Sequence, residues 1–242
     1  MPRYRSYTCA IFICLTTLLS GCDILGFHSW QWNQKVTIVV ETPGGVRTGD
    51  SVQSVVWSES PHWSKIGDSG GWFTNDLKGE AAFVEVAPNK YLFALLKTYD
   101  HPAVDKVFRP QPVKRPYITA DGFRNQIRAE NEAIQASRET REVPRASFPT
   151  LVTFTKPTDP STAVKVEPEN LEAAFGNGYR LVSIRLGITS EPLTTGRVVK
   201  VLGTEFSKIW TEQIQENIRI YGPFSQIPFA LKITPSQFRR GG

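Results

Sequence analysis

The sequence predicts an α+β protein with an N-terminal antiparallel β unit, a charged linker helix and a smaller mixed α/β unit. Three observations carry this expectation. Short apolar-alternating runs joined by Gly/Pro turns dominate residues 35–97, one long polar helical pattern follows, and residues 150–242 mix both periodicities. Helices and strands are segregated along the chain rather than strictly alternating, which favours α+β over a doubly wound sheet.

In the first unit KVTIVVE places Val36, Ile38 and Val40 opposite Thr37 and Glu41, as in a half-buried strand, and Pro43-Gly44-Gly45 supplies a turn. SVQSVVW predicts a second strand with weaker alternation. GEAAFVEV sets Ala82, Val84 and Val86 on one face, Pro88-Asn89 turns the chain, and YLFALL returns as a strand. Residues 98–149 are a Pro-rich crossover, with prolines at 102, 110, 112, 116, 144 and 149 around a helix expected from Thr119 to Arg141. Phe123, Ile127 and Ile134 form its narrow apolar stripe. Lys106–Arg145 holds nine basic and five acidic residues. Attraction to anionic headgroups is one reading of that surplus, and a solvated crossover of mixed sign is the other.

In the last unit LVTF is a short strand, and EPENLEAAFGNG is a compact helix with Pro168 near its start and Gly176 or Gly178 as the stop. LVSIRLGI alternates Val182, Ile184, Leu186 and Ile188 against Ser183, Arg185 and Gly187. Val199, Leu202, Phe206 and Ile209 predict one amphipathic helix running through Gly203, and FALKI predicts a final strand. No internal repeat is visible. With 40% hydrophobic and 11% aromatic residues the composition is globular rather than disordered.

The N-terminus carries a different message. Arg3 and Arg5 precede a twelve-residue apolar core, Thr8–Leu19, which is shorter than the roughly 20 residues that span a bilayer. Charge, apolar core and small residues in that order fit a secretory signal better than a buried helix. The following Leu19-Ser20-Gly21-Cys22 resembles a bacterial lipobox. That resemblance implies cleavage between Gly21 and Cys22, a diacylglycerol thioether on Cys22 and an acylated new N-terminus. It thus implies a signal peptide at 1–21 and a lipidated tether at 22–34. The protein is then held on a membrane by lipid and faces the periplasm or the outside. Two or three chains anchor stably where one does not, since each buried CH2 contributes about 0.8 kcal/mol. Asp23, next to the lipidated cysteine, resembles an inner-membrane retention signal.

Subtraction limits the chemistry. Cys9 and Cys14 leave with the signal and Cys22 takes lipid, so the remaining chain has no thiol for disulfides, nucleophilic catalysis or thiolate metal sites. Loss of Arg3 and Arg5 leaves 26 basic against 23 acidic side chains, a formal charge of +3. No basic–aromatic motif points to nucleic acid.

GDSGGW, residues 67–72, spells the letters around the nucleophile of chymotrypsin-like proteases. Ser69 lies 47 residues after Cys22, too few for the upstream barrel of that family, and the accompanying disulfide is impossible. The upstream histidines are His28, in the tether, and His62; His101 follows in a Pro-flanked turn. A triad is judged by geometry and roles, so a Gly-rich turn is the simpler reading of Ser69. The three histidines show no metal-ligand spacing, and no phosphate-binding or dinucleotide fingerprint is present. No catalytic residue, metal site or cofactor is therefore expected. Glu41, Asp50, Glu80 and Glu85 are the carboxylates from which a hydrolytic pair would have to come.

Two blocks resemble an uncharacterised bacterial protein family, many members of which are predicted lipoproteins. They are WQWNQKVTIVVETPGGVRTGDSV with KGEAAFVEV and YLFALL, and FPTLVTFTKPTDPSTAVKVEPENLEAAFGNGYRLVSIRLGITSEPLTTG. The resemblance implies one coherent protein and transfers no functional residue. The expectation is a non-enzymatic envelope lipoprotein that binds or helps assemble another envelope component. Trp30, Trp32, Trp57, Trp63 and Trp72 are its candidate partner contacts, with burial in the sheet as the competing reading. The alternative is a membrane-tethered hydrolase using Ser69 or paired carboxylates.

Overall fold

A computed structural model describes residues 26–61, 73–96, 107–108, 119–222 and 226–241. The fold is α+β. In chain order the strands are β1 (His28–Thr42), β2 (Gly45–Glu59), β3 (Phe73–Glu80), β4 (Ala82–Ala87), β5 (Lys90–Ala94), β6 (Thr140–Glu142), β7 (Leu151–Phe154), β8 (Ala163–Val166), β9 (Arg180–Thr189) and β10 (Arg239–Arg240). The helices are α1 (Ala120–Ala136), α2 (Glu172–Phe175), α3 (Arg197–Leu202), α4 (Phe206–Tyr221) and α5 (Phe229–Lys232). One sheet has the order β10-β3-β2-β1-β9-β6, the other β4-β5-β7-β8.

The described residues fall into two compact units, the first within 26–31 and 56–76 and the second within 32–55 and 77–241. In the first, Phe73 sits 6.3 Å from both Trp30 and Trp57, measured between ring centroids. His28 stacks on Trp30 at 6.0 Å.

The larger unit joins the two ends of the sequence through its sheets. β1 pairs with β9 in antiparallel register, and Val36↔Leu186 and Ile38↔Ile184 are cross-strand pairs of buried side chains. A bulge follows, with Val39↔Ser183 succeeded by Val40↔Leu181. The extra residue, Val182, is turned outward and is 39% exposed, while Leu181 takes the core position at 3%. Of the expected inward positions of β9 only Val182 turns outward, while Ser183 and Gly187, expected on the outward side, are buried. In the other sheet β5 pairs with both β4 and β7. Phe93, Phe154, Phe206 and Phe238 interlock edge to face there, with centroids 5.6–5.8 Å apart for Phe93–Phe238, Phe93–Phe154 and Phe154–Phe206. Offset and edge-to-face pairs of this kind add to simple burial.

β2 alternates weakly because Ser51–Val55 are buried on both faces. Thr194 exchanges hydrogen bonds with Val52, donating its N–H to the Val52 carbonyl at 3.0 Å and accepting from the Val52 N–H through Oγ1 at 2.9 Å. A strand covered on both sides has no solvent face, so Ser51, Gln53 and Ser54 are buried there alongside Val52 and Val55.

Several element boundaries depart from the sequence expectation. β1 begins at His28, so residues 28–34 of the expected 22–34 tether form strand. α1 starts as expected, with Thr119 Oγ1 accepting from the Gly122 N–H, but ends at Ala136, and Thr140–Glu142 pair with β9 instead. Its stripe is buried at Ile134 and exposed at Phe123. The EPENLEAAFGNG helix shrinks to Glu172–Phe175, closed by Gly176 at φ 103°. The single helix expected through Gly203 is two helices, because Gly203 adopts φ 86° and ends α3 there. FALKI contains the helix α5 rather than a strand. An apolar run that short does not distinguish the two, and here Leu231 packs with Ile214, Ile227 and Trp210, while the Trp210 indole donates to the Leu231 carbonyl at 3.2 Å.

Candidate functional site

Gly21, Cys22, His62, Trp63, Ser69, Trp72 and His101 lie outside the described residues. The expectation of exposed contact tryptophans is corrected for the other three. Trp30, Trp32 and Trp57 are only 6%, 4% and 3% exposed. They occupy inward positions of β1 and β2, where a large amphipathic ring gains most from burial. Of the histidines, His28 is engaged with Trp30. Among the described residues no group of His, Cys, Asp or Glu is arranged to hold a metal ion. No helix among them is long and apolar enough to cross a membrane.

The four candidate carboxylates are separated by their partners. Glu41 accepts from Arg180 Nε at 3.0 Å across the β1–β9 pair. Glu85 accepts from the Asn89 N–H at 2.9 Å and so closes the β4–β5 turn. Asp50 and Glu80 belong to one polar cluster built around Arg197.

Glu80 ends β3 and is 1% exposed. Its Oε1 accepts from the Gly196 N–H at 2.6 Å, and its Oε2 from the N–H groups of Arg197 and Val198 at 2.9 and 3.1 Å. These donors are the otherwise unpartnered amides at the start of α3. The carboxylate therefore caps α3 from a distant strand. Its carbonyl accepts from Ser51 Oγ at 2.8 Å and Gln53 Nε2 at 3.2 Å.

Arg197 then turns outward. Its Nη1 donates to both Asp50 Oδ1 and the Asp50 carbonyl at 2.9 Å, and its guanidinium carbon lies 5.3 Å from the Phe83 ring centroid, as in a cation–π contact. Lys35 Nζ is 3.4 Å from Asp50 Oδ2 and 2.9 Å from Glu191 Oε2. Burial alone would raise the Asp50 carboxyl, but the hydrogen bonds from Arg197 and Lys35 hold it below its ordinary value. The Glu191 hydrogen bond, joined by Asp50, holds the Lys35 ammonium above its own.

These shifts set the pH behaviour. A depressed carboxyl contributes stability that is present above its unfolded pKa, about 4, and lost as pH falls through the folded value. A raised lysine contributes stability below about 10.4 that is lost as pH rises through its folded value. Asp50→Asn is therefore expected to flatten the acid limb of the stability curve in urea titrations, by less than ~1 kcal/mol because the pair is partly exposed, and less again at high salt. An unchanged difference between wild type and variant from neutral to acid pH contradicts this.

The cluster has no uncommitted general base. Both Glu80 oxygens accept main-chain donors and both Asp50 oxygens face cations. It fastens α3 and the 191–196 segment onto β1, β2 and β3. Sequence reasoning did not find Lys35, Glu191 or Arg197, because their partners lie far away in the chain. Set against known protein families, characterised proteins and solved structures, the chain matches none.

Proposed function

We propose that this protein is an extracytoplasmic lipoprotein, anchored through lipid on Cys22, whose folded domain serves as a non-enzymatic binding or assembly component of the bacterial envelope. One observation carries the anchoring. Leu19-Ser20-Gly21-Cys22 closes a basic and then apolar N-terminal segment, in the order that a lipoprotein signal requires. Asp23 favours the inner membrane. The absence of any cysteine after Cys22 also leaves that thiol without a disulfide partner in the processed chain. The binding role is favoured over a paired-carboxylate hydrolase because Glu41, Asp50, Glu80 and Glu85 each hold a contact of the fold.

Cys22→Ala tests the anchor. The variant is expected to lose lipid attachment and to retain the uncleaved signal, giving a heavier chain on denaturing gels. Identical processing and detergent partitioning of variant and wild type would refute it. Crosslinking of the anchored protein in intact cells tests the binding role, and a protein that stays uncrosslinked at every surface position argues against it.

A further inference from the structure

A small cavity in the larger unit lies among Val36, Leu77, Leu95, Ile184 and Leu186, with Gln34 and Gln53 as its polar side chains. Its volume is about 30 Å³. Gln34 and Gln53 are 1% and 5% exposed, and a chain of hydrogen bonds fixes how their amides point. Gln53 Nε2 donates to the Glu80 carbonyl at 3.2 Å, an acceptor that cannot be reversed. Gln53 Oε1 must then accept, and it does so from Gln34 Nε2 at 3.0 Å. Gln34 Oε1 is left buried and accepts from no protein donor. Flipping the Gln34 amide would set two oxygens against each other, so no reassignment within the pair satisfies it.

We propose that this cavity is a binding site for one water molecule, which donates a hydrogen bond to Gln34 Oε1. A buried amide oxygen without a donor is destabilising, and a bridging water removes most of that cost. The volume exceeds the ~10–15 Å³ that a single water needs and falls far below the hundreds of Å³ of an organic-ligand pocket. The water is held by Gln34 Oε1, the unsatisfied buried polar atom among the side chains of the wall. It thus extends the line Gln34–Gln53–Glu80 that runs from the core to the start of α3.

The test is a high-resolution crystal structure of the wild-type chain, together with water-to-protein cross-relaxation by NMR for wild type and Gln34→Met. Ordered density within hydrogen-bond distance of Gln34 Oε1 is expected. A water cross-peak to the Gln34 side-chain amide is also expected, and water cross-peaks to the neighbouring wall protons should vanish in Gln34→Met. A cavity without density, entry of xenon into the wild-type cavity, a protein donor on Gln34 Oε1, or wall cross-peaks that persist in Gln34→Met would overturn the assignment. The wild-type measurements decide the question even if the variant does not fold.

Discussion

Gly49→Ala is expected to destabilise the protein by on the order of 3–5 kcal/mol, lowering its thermal midpoint by roughly 10 °C. The reason is main-chain proximity. A Cβ on residue 49 would overlap the Phe83 carbonyl oxygen and lie 2.6 Å from the Phe83 carbonyl carbon and 2.7 Å from Val84 Cα. Backbone has no alternative rotamer, so β2 and β4 would have to separate where Gly49 now lets them meet. Gly44→Ala is the matched control, because its nearest neighbour would be Thr42 Oγ1 at 3.8 Å. Its effect should stay within about 0.5 kcal/mol. Equal losses from the two substitutions, measured by denaturant unfolding, would show that the β2–β4 approach is not as tight as described.

Glu80→Ala is expected to cost about 3 kcal/mol or more. It removes one buried carboxylate acceptor from three amides at once, and the Val198 amide belongs to a buried residue. Glu80→Gln should cost less but not little, since its NH2 group must face an N–H donor on one side. Amide exchange gives the specific readout. Gly196, Arg197 and Val198 should lose protection in the alanine variant more than the β1–β9 amides do. A uniform loss across the sheet, or none, contradicts the capping role.

The strands were legible where periodicity and packing agree. β1 buries Val36, Ile38 and Val40 as its alternation requires, and β4 buries Ala82, Val84 and Val86. The departures have local physical causes. A bulge inverts Val182, Gly203 divides a helical stripe into two helices, and the short run at Phe229–Ile233 fits either period. The α+β class survived these errors because it depends on which elements exist, and the boundaries depend on caps and bulges.

The polar cluster was much less legible. Glu80 stood out only as one acid among several, since its amide donors lie 116 to 118 residues further along the chain. Arg197 and Asp50 are 147 residues apart. No spacing rule links such residues, and only the sheet order brings them together. The tryptophans illustrate the opposite limit. Their density in the first block suggested a contact surface, but strand parity buried Trp30, Trp32 and Trp57. Parity was available in the sequence, because Trp30 and Trp32 continue the even-numbered inward positions of KVTIVVE.

The central claim concerns Cys22, and the mass of the mature N-terminal peptide tests it most directly. Peptides released from protein purified from membranes are expected to begin at Cys22 and to carry the mass of a diacylglycerol with an additional acyl chain. An N-terminal peptide that begins elsewhere, or that contains an unmodified Cys22, contradicts the account.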